Sequence, residues 1–191
     1  MASISNFSDA KEKEQNYIRL NLLIVKLSTF VLKARFDHIV PPENLHHQLK
    51  KFNSKIKYGK NKKIISQKQF ELLFPHNASP SSDKFDITLL VYLLRHICSF
   101  DGKCPWWIEK DNSNIPDTVE EEIADIVRIR NLRNEIQHLQ KASVDQRDFE
   151  EKWDTAEKAL LRLGAISNLT DLKSEIETVK NQPSKPLRRR L

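Results

Sequence analysis

The sequence predicts an all-α protein: a single helical bundle of long antiparallel helices with a basic helix-loop insertion. Three observations carry this. Apolar residues recur at three- and four-residue spacing, and no segment alternates apolar with polar residues as a half-buried strand does. The 191 residues include only three glycines, few for the many turns of a β protein. Prolines, Ser/Asp caps and one late glycine divide the chain into segments of helical length.

The elements follow in order. A first helix over 10–38 carries Ile18, Leu22, Val25, Thr29 and Leu32 on one stripe. Pro41 and Pro42 end the link after it and start a second helix over 43–55, since proline fits the first helical turn. A lysine-rich segment leads to a short helix over 67–73, stopped by Pro75, and 76–83 reads as an exposed loop. Asp86 caps a third long helix with Ile87, Leu90, Val91 and Leu94 on its apolar side. A loop over 102–116 holds Trp106 and Trp107, read as a hydrophobic plug for the bundle end, with base stacking the alternative. Thr118 and Glu121 have the spacing of a capping box for the next helix, which runs to about Gln140. Its Ile123, Ile126 and Val127 are expected to pack against Leu90 and Leu94. Ser143 or Asp145 opens a further helix that buries Phe149, Trp153, Ala156 and Leu160 and ends at Gly164. The expected organisation is one helical domain over 10–166. Residues 167–191 form a C-terminal helix, over 169–179, and a basic tail that reads as disordered.

Charge and chemistry narrow the function. The net charge is +6 and the pI about 9.3. Lys50, Lys51, Lys55, Lys57, Lys60, Lys62 and Lys63 fall within one short segment. Such clustering suits contact with nucleic-acid phosphates, or equally a solubilising face. Cys98 and Cys104 match no zinc spacing and read as reduced thiols. His46 and His47 are adjacent, so they point to different helix faces and make a poor metal pair. His96, beside an apolar stripe, reads as structural. No metal ligand set and no cofactor motif is apparent. Residues 1–10 are polar, and the apolar run 20–32 is too short and too interrupted to span a bilayer. A reducing, cytoplasmic setting and no membrane partner are therefore expected.

The most informative stretch is RNEIQH, Arg133 to His138. Asn134 and His138 are i,i+4 partners on one helix face. Arg133 lies roughly 140° from His138 around a regular helix. The two meet only if the arginine stem bends, the helix ends there, or a second chain supplies one of them. A phosphate-binding cation beside a group that titrates near neutrality suits chemistry on RNA. The same spacing also describes a solvated helix face with a histidine near the C-terminal dipole.

Together with LFP at Leu73 to Pro75, FDITLL at Phe85 to Leu90 and the run from Trp153 to Gly164, this motif gives a resemblance. From about Asn16 to Gly164 the chain resembles the HEPN domain found in the DAZ-interacting zinc-finger type of ubiquitin ligase. It departs at Gln137, where that subfamily usually has a small residue. The resemblance implies a HEPN-like bundle, a homodimer, and a metal-independent endoribonuclease in which Arg133, Asn134 and His138 are the catalytic residues. The alternative it implies is a non-catalytic interaction or oligomerisation module for RNA or a protein partner. No RING-type Cys/His cluster is present in these residues, which excludes ligase chemistry within them.

Overall fold

The computed structural model describes residues 4–98, 100, 105–107 and 115–182. Among them the chain is helical and without strands. Cys104, most of the tryptophan loop and the tail 183–191 lie outside the described residues.

The first helix is one rod in three parts: α1 (Ile4–Asn21), a π-helical stretch (Leu22–Leu27) and α2 (Ser28–Ile39). The wide turn is visible in Ser28, whose hydroxyl and backbone N–H both donate to the Leu23 carbonyl five residues back. This corrects the stripe expected from a regular 3.6-residue period. Ile18, Leu22, Val25 and Thr29 are only half-buried. The core takes Leu20, Leu23, Ile24, Val31, Leu32 and Phe36 instead, because a π turn rotates the face that follows it.

Next come α3 (Pro42–Lys51) and α4 (Asn53–Asn61), separated at Phe52. The expected single helix over 43–55 is thus broken early and extended late. α4 ends in a left-handed residue, Lys63, at φ 57°. Ile64 N–H donates to the Gly59 carbonyl and Lys63 N–H to that of Lys60, the bonding of a Schellman cap.

α5 (Gln67–Leu73) opens with a reciprocal capping box between Ser66 and Gln69. The loop 76–83 is exposed over 76–79, but Pro80 and Ser82 are buried. Asp83 reaches Lys33 of α2 at 2.9 Å, which pins the loop's second half.

α6 (Ile87–Ile97) is capped by Asp86, whose carboxylate accepts from Leu89 N–H at 2.8 Å. α7 (Glu122–Gln137) starts later than the Thr118/Glu121 spacing suggested. Glu121 occupies the cap position, and its side chain makes no capping hydrogen bond. Pro116 and Val119 form a turn there instead, and Glu122 is drawn away into an ion pair with Arg35 of α2.

α8 (Gln146–Ile166) is capped by Asp145 through Asp148 N–H, and it buries Phe149, Trp153, Ala156 and Leu160 as expected. Gly164 does not end it. The stop is Asn168, at φ 57°, with Leu169 N–H on the Gly164 carbonyl and Asn168 N–H on that of Ala165. Gly164 is small for another reason: a Cβ there would stand 2.4 Å from Leu172 Cδ2. α9 (Leu172–Asn181) closes the described residues and buries Leu172 and Ile176.

α7 is the central helix. Every residue from Ala124 to Ile129 is buried, as expected of a helix packed on several sides. It packs chiefly on α8, while α6 packs chiefly on α2; α6 and α7 also meet. Leu90, Leu94, Ile126 and Val127 are all buried in the shared core, whereas Ile123 is half-buried. α7 and α8 run antiparallel, since Asp125 pairs with Arg162 and Glu135 with Lys152. Past Leu132 only Ile136 stays buried, so the last turns of α7 emerge at the surface with one face out.

Candidate nucleic-acid interface

The emergence of α7 places the motif. Arg133 is half-buried, and its Nη1 donates to Asn134 Oδ1 at 3.1 Å. Asn134 is exposed. His138 is exposed and serves as the C-cap of α7, its backbone N–H bonded to the Asn134 carbonyl at 3.1 Å.

Arg133 and Asn134 line one cavity of about 170 Å³ between α6 and α7. Thr88 near the start of α6 lines it with Asn134 near the end of α7, so these helices run antiparallel. Arg95, His96 and Arg130 share the same walls, and among the described residues no acidic side chain lines them. His138 is not part of the lining. Within one chain, the structure therefore brings Arg133 and Asn134 together and leaves His138 one turn away at the helix end.

Trp107 closes the cavity floor. It is buried, and its indole N–H donates to the Phe100 carbonyl at 2.8 Å, the bundle-end plug read from the sequence. The Arg95 and Arg130 guanidinium carbons lie 4.9 and 5.4 Å from its ring centre. Burial lowers the Arg130 pKa from its usual value, and the neighbouring Arg95 charge lowers it further. His96 stacks on Tyr92 with centroids 4.4 Å apart, so it is both a packed residue and a wall of the cavity.

The lysine segment abuts this place. Tyr92 donates its hydroxyl to the Lys55 carbonyl at 2.7 Å, and Lys55 Nζ donates to the His96 carbonyl at 3.3 Å. Gly59 permits that closeness, because a Cβ would stand 2.3 Å from the Tyr92 hydroxyl oxygen. Ile64, half exposed, forms the cavity rim. Lys50, Lys51, Lys55, Lys57, Lys62 and Lys63 are exposed; Lys60 is partly covered and lies over the Phe70 ring at 4.4 Å.

Sequence reasoning missed Arg95 and Arg130. The signal for Arg130 was its position three residues before Arg133 on the same helix. Nothing local marks Arg95, which reaches the cavity only because α6 and α7 meet. A second missed feature is structural. Asp125, with no exposure, accepts from Arg128 at 2.7 Å and from Arg162 at 2.7 and 2.6 Å. Arg128 also donates to the Pro116 carbonyl at 2.7 Å. This network lies outside the cavity lining and ties α7 to α8. Among the described residues, no group of three His, Cys, Asp or Glu side chains is placed to hold a metal ion, and no helix is long and apolar enough to cross a membrane.

An all-α bundle with an Arg-Asn-x3-His motif at the surfacing end of its central helix is a HEPN-type domain. Residues 42–190 match the family described as DZIP3/hRUL138-like HEPN, and the chain belongs to that family. It is 26% identical over 173 residues to the human E3 ubiquitin-protein ligase DZIP3, covering 87% of this chain and 13% of that protein. The chain thus spans a small part of the curated relative it matches. No solved structure matches it.

Proposed function

We propose that the protein binds RNA at the α6–α7 cavity and the adjoining lysine surface, and cleaves it without a metal. One observation carries this reading: Arg133 and Asn134 share a cavity with two further arginines and, among the described residues, no carboxylate in its lining, beside the exposed lysines of α4. The lysines supply sequence-independent attraction to the backbone. Arg133, held by Asn134, stabilises charge on the phosphate at the transition state. The RNA's own 2′-hydroxyl attacks the adjacent phosphorus, forming the 2′-O–P bond as the P–O5′ bond breaks. His138 takes the hydroxyl proton or returns one to the leaving 5′-oxygen. Because His138 lies outside the cavity lining, a homodimer that sets one chain's His138 against its partner's Arg133 fits this chemistry.

The binding half has a direct test. Replacing Lys55, Lys57, Lys60, Lys62 and Lys63 with glutamine should weaken RNA affinity and flatten the dependence of log K on log salt by several units. An unchanged slope in a fluorescence-anisotropy titration would reduce the segment to a solubilising surface.

A second reading, a non-catalytic protein-interaction or oligomerisation module, draws on a different face. Leu27, Phe30, Leu169 and Leu172 line a groove of about 480 Å³, and Phe30 is 55% exposed. An exposed large apolar side chain in a groove suits a partner. Under this reading the lysine variant binds RNA like the parent, and Phe30→Asp is the change that abolishes association.

A further inference from the structure

Arg130 and Arg95 are the cavity's arginines that the motif leaves unassigned, and Arg130 is the one on the motif's own helix. It sits one turn before Arg133, so both guanidiniums project toward the same side of α7. Each makes its side-chain hydrogen bonds to the neighbouring asparagine, Arg130 to Asn131 Oδ1 at 3.2 and 3.1 Å and Arg133 to Asn134 Oδ1 at 3.1 Å. Neither forms an ion pair with a carboxylate among the described residues, although Arg162, Arg128 and Arg35 all do. Two part-buried guanidiniums left to amides in one cavity are set for an anion from outside.

We propose that Arg130 and Arg133 form a two-arginine subsite for a phosphate group of RNA, with Arg130 a binding residue in its own right. The inference rests on the RNA reading above and adds a residue to it. The cavity, at about 170 Å³, is smaller than the 300 Å³ or more of common small-molecule sites. It suits a phosphate group and excludes a whole nucleotide. Guanidinium forks match phosphate oxygens pairwise, and the Arg130 guanidinium lies over the Trp107 ring, 5.4 Å from its centre. Bringing Arg130 close to Arg95 in a part-buried place opposes its charge. A bound anion reverses that cost. The phosphate is either a backbone phosphodiester or a terminal 5′-phosphate, and both present the same oxygens.

The test compares the parent chain with Arg130→Gln and Arg130→Lys. Short single-stranded RNA, with a 5′-hydroxyl or a 5′-phosphate, is titrated at several salt concentrations, and inorganic phosphate is added in thermal melts. We expect Arg130→Gln to lose about tenfold in RNA affinity and about one unit of salt slope, with Arg130→Lys intermediate. Phosphate should raise the melting temperature of the parent and not of Arg130→Gln. If only the 5′-phosphorylated RNA is affected, the subsite holds the chain end; if both RNAs are affected alike, it holds the backbone. The inference is overturned if Arg130→Gln melts lower than the parent, keeps the phosphate shift and binds RNA equally, for Arg130 is then a packing lid on Trp107. The two readings separate cleanly. A parent that gains stability from phosphate through Arg130 but ignores RNA keeps the subsite and removes the RNA function. An Arg133→Ala variant that loses RNA binding beside an unaffected Arg130→Gln does the reverse.

Discussion

Cys98 sits at the C-cap of α6, and burial pushes its thiol up to about 12. The reactive species is the thiolate. At pH 8 its fraction is on the order of one in ten thousand, from the pKa gap. In a Cys104→Ser background, Cys98 should resist iodoacetamide in the folded protein and react promptly in urea, as read by mass spectrometry. Asp125 makes the opposite case, a buried charge fully used. Asp125→Ala strands Arg128 and Arg162 beside an empty acceptor. The expected loss is about 3 kcal/mol of stability, at the lower end for a broken buried pair, since Arg162 can turn toward Glu120 at 3.7 Å. Urea denaturation of the variant measures it. A loss under ~1 kcal/mol, the range of an exposed pair, would show that solvent reaches the network.

Among the helices, those whose ends are set by their own side chains were readable from the sequence. Asp86 and Asp145 accept from backbone three residues on, a local event that needs no partner helix. Ends and faces set by packing were not readable. The π stretch rotates the first helix's buried face, and Gly164 is small to admit Leu172 rather than to stop α8. In the same way, Arg133 and Asn134 are neighbours in the motif, but Arg95 and Arg130 join them in the cavity lining only through the meeting of α6 and α7, and His138 stays outside it. The α4–α6 contact gives a prediction of its own. Gly59→Ala forces a Cβ onto the Tyr92 hydroxyl, which also holds the Lys55 carbonyl. Such overpacking costs about 1–3 kcal/mol. Hydrogen exchange should accelerate over 53–61 while α7 and α8 stay protected. Equal exchange in variant and parent would mean that α4 is not anchored by this contact.

For the molecule as a whole, the bundle divides its labour. α7 is locked to α8 through Asp125, while its Arg130 and Arg133 line a cavity beside exposed lysines. Under the proposed function, stability and recognition depend on different side chains and can be altered separately. That separation is what lets catalysis be tested without unfolding the protein. Arg133 and His138 lie at the surfacing end of α7, outside the core, so alanine at either position should leave the melting temperature nearly unchanged. A proton-transfer group contributes about 10²–10⁴-fold to a rate, and a preorganised charge stabiliser a comparable factor. The decisive measurement is cleavage of single-stranded RNA by the purified parent, His138→Ala and Arg133→Ala proteins in EDTA, with melting curves taken on the same samples. The parent should yield products ending in a 2′,3′-cyclic phosphate, and both variants should fold normally and cleave below detection. A parent that leaves RNA intact as monomer and as dimer, or a His138→Ala variant that cleaves as well as the parent, would contradict the account.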